Sequence, residues 1–538
     1  MPANNRFAGL RVVHYSLAVR SVPILPPLLL LLPLASSAVV YYPLTTAYFA
    51  SDDFLNLYLI VNESPLEYVL RPHGGHLLVT RNAIFSLFHQ AFGTRAELYF
   101  WAVLLTHLVN VFLLFQIIRR LAASNHLASF GATLWGICPV HAGALGWYSV
   151  YGHVVVTTIV LVILNRAAAA VSTGSSPSRS VLLLWPLLFL VASTCFGVGI
   201  GITVVSPLML FLLLPPSPVR TRLCVALCAV AVALPFVYQE LLRLYGAVSG
   251  SSRALLVATF LTARTRPSWH LVEFAAMLAS HGITSLLLGF ALPVKTTLGI
   301  GAYVGAAQFP GAIAYVVAGS YVALVLVVLV RSPGTIRRRV LGFLAMATGC
   351  YAIIAAGRAP AFTESVASFG AAQPRYHYAA TTALTILLCL TLREVAAWLP
   401  WTARIRSILL LTWVAVTAVC YMQSPPFIDP FASARKETTD VLTAVDKLIA
   451  AAPPRGDVYI PNKLFLSAGP MIAADPVTFP GWAAIFTIFF PSNVVDGKRV
   501  HFIVNHPEAV AAAMRGRRTA ELVIGPDQVR RPEGARRP

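Results

Sequence analysis

Runs of about 17–25 apolar residues with hardly a charge inside them recur down this chain, and they constrain the fold more than any other feature. Backbone placed in hydrocarbon must satisfy its own hydrogen bonds, so runs of this kind become helices. Expected spans fall near 22–40, 98–118, 126–141, 152–165, 181–196, 198–215, 223–240, 311–331, 340–357, 377–392 and 403–422. Only 11% of the 538 residues are charged, where soluble domains carry about 25%. The sequence therefore predicts an all-α polytopic membrane protein of about 11 transmembrane helices and excludes a soluble globular fold.

The formal net charge of +20 does not point to nucleic acid, because of where it sits. Arg119-Arg120, Arg220 with Arg222, Arg331 with Arg337–Arg339, and Arg404 with Arg406 fall in short connections, which the positive-inside rule holds in the cytoplasm. On this scheme residues 1–21 are a cytoplasmic tail and 22–422 the multi-pass membrane domain, with a first outer loop over 41–97. The motif Ala35-Ser36-Ser37-Ala38 offers a rival reading as a signal-peptide cleavage site. The long basic tail and the many later spans favour an uncleaved anchor. His270–Leu292 is apolar too, but a full crossing there would put Arg337–Arg339 outside, so it is expected to be re-entrant or to lie on the outer interface. From Arg435 the chain changes character. A helical period over Thr439–Ala451 and strand-like runs at Asp457–Ile460 and Arg499–Val504 predict a small extracytoplasmic α/β domain over 423–525, followed by a basic disordered tail, 526–538.

The seven cysteines all lie in apolar runs and predict neither disulfides nor zinc. Chemistry-bearing residues concentrate in the polar stretches. Asp52-Asp53 follows the first span. Such a pair suits a helix start or a turn, but like charges side by side also push one pKa upward, as a general base requires. Arg71-Pro72-His73-Gly74-Gly75-His76 reads as a turn or as two histidines in search of a third metal ligand, so no cofactor is expected and a divalent metal is unsupported. Leu77–Phe92 interleaves Leu78, Phe85, Leu87, Phe88 and Phe92 with Arg81, Asn82 and His89, as an interfacial amphipathic helix does. Pro139 and His141 precede Trp147-Tyr148, which read foremost as interface anchors. In Gln373-Pro374-Arg375-Tyr376-His377-Tyr378, the arginine either snorkels or meets a phosphate with its planar fork of donors. Gly197, Gly199 and Gly201 lack the lysine and strand of a phosphate loop and suit close helix packing. Asn62-Glu63-Ser64 is a glycosylation sequon on the expected outer side.

In order and spacing these motifs resemble the GT-C class of integral-membrane glycosyltransferases, closest to the protein O-mannosyltransferase-like branch and its bacterial relatives. The acidic pair after the first span carries the resemblance, with the Arg-Pro that opens an interfacial helix and Phe92-Gly93 before a span containing Thr106-His107. Pro139-x-His141 with Trp147 and the late Arg375-Tyr376-x-Tyr378 complete it. The match covers roughly 22–392. Pro374 and Cys195-Phe196-Gly197 depart from it, standing where relatives often have acidic or Lys-Glu residues.

The resemblance implies an inverting transfer of sugar from a polyprenyl-phosphate donor to an acceptor hydroxyl of a glycan, lipid or protein, on the extracytoplasmic face. It implies Asp52 or Asp53 as base, Arg375 with Tyr376 and Tyr378 at the lipid phosphate, and Arg71, His73, His76 and His141 lining the substrate site. The expected location is a bacterial inner membrane, N-terminus cytoplasmic and C-terminus extracytoplasmic, with membrane lipids but no nucleic acid as partners. A transporter or lipid flippase, a non-catalytic glycan-binding scaffold, and a ligase or polymerase without a carboxylate base are the competing functions.

Overall fold

A computed structural model describes residues 25–49, 52–73, 76–249, 268–289, 311–359, 370–398, 403–422 and 429–451, and four strands beyond them. The expected tails 1–21 and 526–538, the pair Gly74-Gly75, residues 250–267, 290–310 and 360–369, and most of the expected domain 423–525 lie outside the described residues.

The first helices are α1 (Leu25–Tyr41), α2 (Asp52–Asn62) and α3 (Pro65–Leu70). A two-stranded ribbon, β1 (Pro72–His73) with β2 (His76–Leu77), leads into α4 (Val79–Phe92). Then come α5 (Ala96–Ala122), α6 (Asn125–Gly136), the short α7 (Ala142–Leu145), α8 (Gly152–Thr173), α9 (Val181–Ser193), α10 (Gly197–Leu213) and α11 (Pro218–Ser249). The second half holds α12 (Ser268–Leu288), α13 (Gly311–Arg331), α14 (Gly334–Arg358), α15 (Tyr378–Trp398), α16 (Ala403–Met422) and α17 (Asp429–Ala451). Among the described residues, 8 helical segments are long and apolar enough to cross a membrane. The chain is thus an integral, multi-pass helical membrane protein. Helices α9 and α10, at 13 and 17 residues, are apolar but shorter than these.

Hydrocarbon gives helices little hydrophobic reason to associate, so small residues that admit close approach hold such bundles together. The α10–α14 contact illustrates this. A Cβ added at Gly201 would sit 2.2 Å from the carbonyl oxygen of Gly349, and one at Gly349 2.9 Å from that of Gly201. The arginine clusters tie the opposite end. Arg339 and Arg393 both donate to the carbonyl of Leu121, at 3.1 and 3.3 Å, and Arg338 donates to that of Phe211 at 2.9 Å. These carbonyls belong to the last turns of α5 and α10, where helices have unsatisfied acceptors and a negative dipole end.

Helix α12 lies differently. It is unbroken, and length alone would make it a crossing. Yet the His270 ring meets the Ala359 carbonyl at 3.3 Å, just past the end of α14, while Cys138 beyond α6 donates its thiol to Ser285 at 3.5 Å. Between them, a Cβ at Gly282 would touch the Tyr351 hydroxyl and the His377 ring. All three contacts lie away from the arginine-rich end, so α12 runs across one end of the bundle. Of the segment His270–Leu292, expected to be re-entrant or interfacial, the described residues form one continuous helix as far as Leu288.

Past α16 the backbone follows helix then strand, as the sequence pattern indicates. Strand β3 (Asp457–Ile460) pairs parallel with β5 (Lys498–Val504), in register Val458 to Val500. On β5's other partners, β6 (Glu521–Ile524) is parallel and the short β4 (Val494–Val495) antiparallel.

Candidate active site

Asp52 and Asp53 occupy the first turn of α2, where carboxylates favour the positive end of the helix dipole. Neighbours on a helix point about 100° apart, so the two acids cannot share a face. Asp53 is fully buried, and its Oδ1 accepts from both the amide and the hydroxyl of Ser149, each at 2.6 Å. Asp52 turns the other way, toward His73 Nε2 at 3.5 Å, and keeps 40% of its side chain exposed. The pair expected to repel one another is therefore split. Burial pushes the Asp52 pKa up, but the hydrogen bond to His73 and its charge, with Arg375 and Arg81, outweigh burial and hold it below the usual 3.8. At Asp52 the shift is therefore downward, because cations rather than a second carboxylate act on it.

Behind the acids lies a buried polar network. Asn56 donates to the Asp52 carbonyl at 2.6 Å and to the Ser149 hydroxyl at 3.1 Å. Its own oxygen accepts from Tyr68 at 3.0 Å and from Arg81 Nη1 at 2.5 Å. Arg81 is 2% exposed, and its Nε and Nη2 have no hydrogen-bond partner among the described residues. Burial lowers its pKa while Tyr68, Asp52, Asp53 and Tyr148 favour its charged form. This corrects the amphipathic reading of 77–92. Arg81 and Asn82 turn inward beside Phe85, whereas Leu87 is 62% exposed.

The other named loop residues divide. Arg71 forms a two-pronged pair with Glu63, at 2.5 and 3.1 Å, and braces the loop rather than facing Asp52. Asn62 is buried and donates to the Tyr58 carbonyl, while Ser64 caps α3 by accepting from the Glu67 amide. The sequon is thus consumed by local structure. His73 meets Asp52 as described. His76 sits across the ribbon from it and accepts from Arg358 Nη2 at 3.4 Å. Burial, then Arg358, His73 and Arg81, lower the His76 pKa to about 3.

His76 and Arg358 open onto a crevice with about 750 Å³ of empty space, mouth included, whose walls include His153, Phe196, Tyr238 and Tyr376. Mixed walls of this kind, mostly apolar with a few convergent polar groups, are typical of ligand sites. The buried Nε2 of His153 has no hydrogen-bond partner among the described residues, and Arg375, His76 and Arg358 act on its ring. Arg375 thus meets the crevice through Tyr376, and its charge lowers the pKa of Asp52. Its guanidinium lies 5.2 Å from the Trp147 ring centre and 4.8 Å from that of Tyr376, and it donates to Gln373 and to the Tyr376 hydroxyl at 3.3 Å. Trp147, expected as an interface anchor, is 8% exposed and serves as the platform under Arg375.

Two expected site residues belong to the interior. The Tyr378 hydroxyl is shared between His107, at 2.8 Å, and Asn110, at 3.2 Å. His141 bonds Thr381 at 3.0 Å and packs its ring on Trp135 and Tyr378. Both are fully buried. The signal for the site residues that sequence reading passed over, Arg81 and Arg358, was their position. They lie at the end of the bundle where arginine is otherwise scarce or, as with Arg71, Arg95 and Arg243, paired to a carboxylate a few residues away. Among the described residues no three His, Cys, Asp or Glu side chains converge on one point, and the six described cysteines are free.

No family model and no curated protein matches this chain. Solved structures similar to it include two membrane enzymes. One is ArnT from Cupriavidus metallidurans bound to undecaprenyl phosphate, at 14% identity and TM-score 0.49, covering 93% of this chain and 90% of that one. The other is the oligosaccharyltransferase of Archaeoglobus fulgidus tethered with an acceptor peptide, at 11% identity and TM-score 0.39, covering 83% of this chain and 63% of that one. Neither likeness bears on the chemistry, which rests on the residues of the site.

Proposed function

We propose that this protein is a glycosyltransferase of the GT-C kind that moves a sugar from a polyprenyl-phosphate donor to an acceptor hydroxyl. One observation carries the reading: Arg375, whose charge acts on the half-exposed carboxylate of Asp52, donates to the hydroxyl of Tyr376 in the wall of the crevice that holds Arg358. A base is thus linked through one arginine to a crevice that carries a second cation. Apolar residues such as Phe196, Val198 and Ile353 continue the crevice, as an isoprenoid chain would require.

In this reaction Asp52 takes the proton of the acceptor hydroxyl as its oxygen attacks the anomeric carbon. The bond from that carbon to the phosphate oxygen breaks, and its electron pair leaves with the polyprenyl phosphate. Arg375 and Arg358 meet the charge that develops there, which is how fixed cations lower such barriers. Attack from the face opposite the leaving phosphate inverts the anomeric centre. A carboxylate with a depressed pKa remains ionised and ready at neutral pH. Asp53 has no chemical part, since Ser149 occupies it.

The site is read as extracytoplasmic, because the arginine clusters gather at the far end of the bundle. The test is release of polyprenyl phosphate from a panel of polyprenyl-phosphate sugars, with a mixed acceptor extract, by purified protein in nanodiscs. Wild type is expected to release lipid phosphate from one donor, and Asp52→Asn and Arg375→Ala to slow release at least about a hundred-fold. Undiminished release by Asp52→Asn would overturn the assignment of the base, and no release by wild type from any donor would overturn the function.

A further inference from the structure

The two histidines of His73-Gly74-Gly75-His76 face one another in the ribbon register, yet they serve different partners. His73 reaches Asp52, and His76 reaches Arg358 on a helix 282 residues further along the chain. A guanidinium can only donate. The His76 Nε2 in that contact is therefore the acceptor, and the ring proton sits on Nδ1.

The first residue of α10 makes room for this ring. A Cβ built on Gly197 would lie 2.8 Å from His76 Cε1 and 3.0 Å from Nδ1, too close to stay. The three glycines of 197–201 are thus not one motif. Gly201 meets Gly349 across the helix pair, Gly199 meets the carbonyl of Ala192, and Gly197 seats an imidazole. Phe196 packs on the same ring, 5.6 Å between centres.

We propose that His76 is the positioning residue of Arg358, and that the β1–β2 ribbon joins the base and the crevice cation through its two histidines. The proposal rests on the reading of the crevice as the site of the donor phosphate. His76, backed by Gly197 and Phe196, holds the Arg358 guanidinium at the crevice wall. Without that acceptor the long side chain is free to swing away, and a phosphate must then order it at the moment of binding. His73 holds Asp52 from the other arm of the same ribbon. The spacing that looked like an incomplete metal site is accounted for by two separate contacts, one to each half of the site.

The test compares binding of farnesyl phosphate with that of farnesol to the full-length protein in nanodiscs, beside KM and kcat for the active donor. Wild type is expected to prefer the phosphate, and Arg358→Ala to lose at least about ten-fold of that preference. His76→Phe keeps a ring without an acceptor. It is expected to bind the phosphate about ten-fold more weakly and to raise KM more than it lowers kcat. His76→Gln places an amide oxygen near the Nε2 position and is expected to stay within about three-fold of wild type. Gly197→Ala leaves every polar group in place and is expected to weaken phosphate binding by displacing the ring. If Arg358→Ala keeps its preference for the phosphate, the crevice reading fails. If Arg358→Ala loses it while His76→Phe or Gly197→Ala does not, the crevice stands and the role of His76 fails. Loss in His76→Gln as deep as in His76→Phe would equally refute an acceptor role.

Discussion

Replacing Asp53 with alanine is expected to destabilise the protein by about 3–5 kcal/mol, while replacing its neighbour Asp52 with asparagine leaves the fold nearly intact. The figure follows from what each carboxylate touches. Asp53 accepts two hydrogen bonds of 2.6 Å from Ser149 with no exposure to water, and bonds to a charged group contribute about 1.5–3 kcal/mol each. Its charge also helps offset the buried guanidinium of Arg81, and removing one member of a buried charged cluster costs about 3–5 kcal/mol. These two routes describe the same loss and are not summed. Asp53→Asn keeps an acceptor for Ser149 and forfeits only the charge, so its cost is expected at about 1–3 kcal/mol. Asp52 is 40% exposed and bound loosely at 3.5 Å, and surface changes of that kind stay within about 0.5 kcal/mol. The assay is a denaturant midpoint in nanodiscs, with transfer measured on the same preparations. The adjacent acids are expected to separate, with stability lost at position 53 and activity at position 52. A wild-type midpoint for Asp53→Ala, or an equal fall for Asp52→Asn, would refute the division.

Further expectations concern pH, the interior and the helix seam. The folded pKa of Asp52 lies below its usual 3.8; the ionised carboxylate therefore contributes to stability above that value and the contribution fades as pH falls through the depressed one. The acid limb of the kcat/KM profile follows the same group, and His73→Gln is expected to move it to higher pH; an unmoved limb would show that His73 does not hold Asp52. Tyr378→Phe leaves His107 and Asn110 short of a shared partner and is expected to cost about 1–2 kcal/mol of stability, with donor KM unchanged; a raised KM would return Tyr378 to the substrate site. Gly201→Ala drives a methyl group into the Gly349 carbonyl and is expected to destabilise the protein by about 1–3 kcal/mol, read as a lower denaturant midpoint; an unchanged midpoint would show that the α10–α14 seam has room for the methyl group.

The apolar runs made the helices legible, and the described helices fall over each of the expected runs. The polar motifs were legible as places but not as partners. Sequence could mark Asp52-Asp53 as special, yet not say that a helix would turn one to water and the other to Ser149, 96 residues further on. It could pair His73 with His76 by spacing, though their actual partners come from α2 and α14. Tyr378 and His141 misled for a related reason. Polar side chains in a membrane bundle often satisfy one another, and only packing reveals that Thr381, His107 and Asn110 had already engaged them. Arg81 was missed because an amphipathic pattern assigns arginine to the polar face, whereas it shares the buried face of α4 with Phe85 and Phe88, and Leu87 points away.

Helix α12 also bears on how such a protein can change over generations. Both of its ends rest at the same end of the bundle, so the chain leaves α11 and enters α13 without having changed sides. An insertion or deletion there alters only what covers that end, and every later helix keeps its direction. Losing a helix that runs from end to end would instead invert α13 through α16 and carry Arg375 away from Asp52. Helix α12 is therefore the described helix of the membrane domain whose replacement would leave the direction of every later helix unchanged.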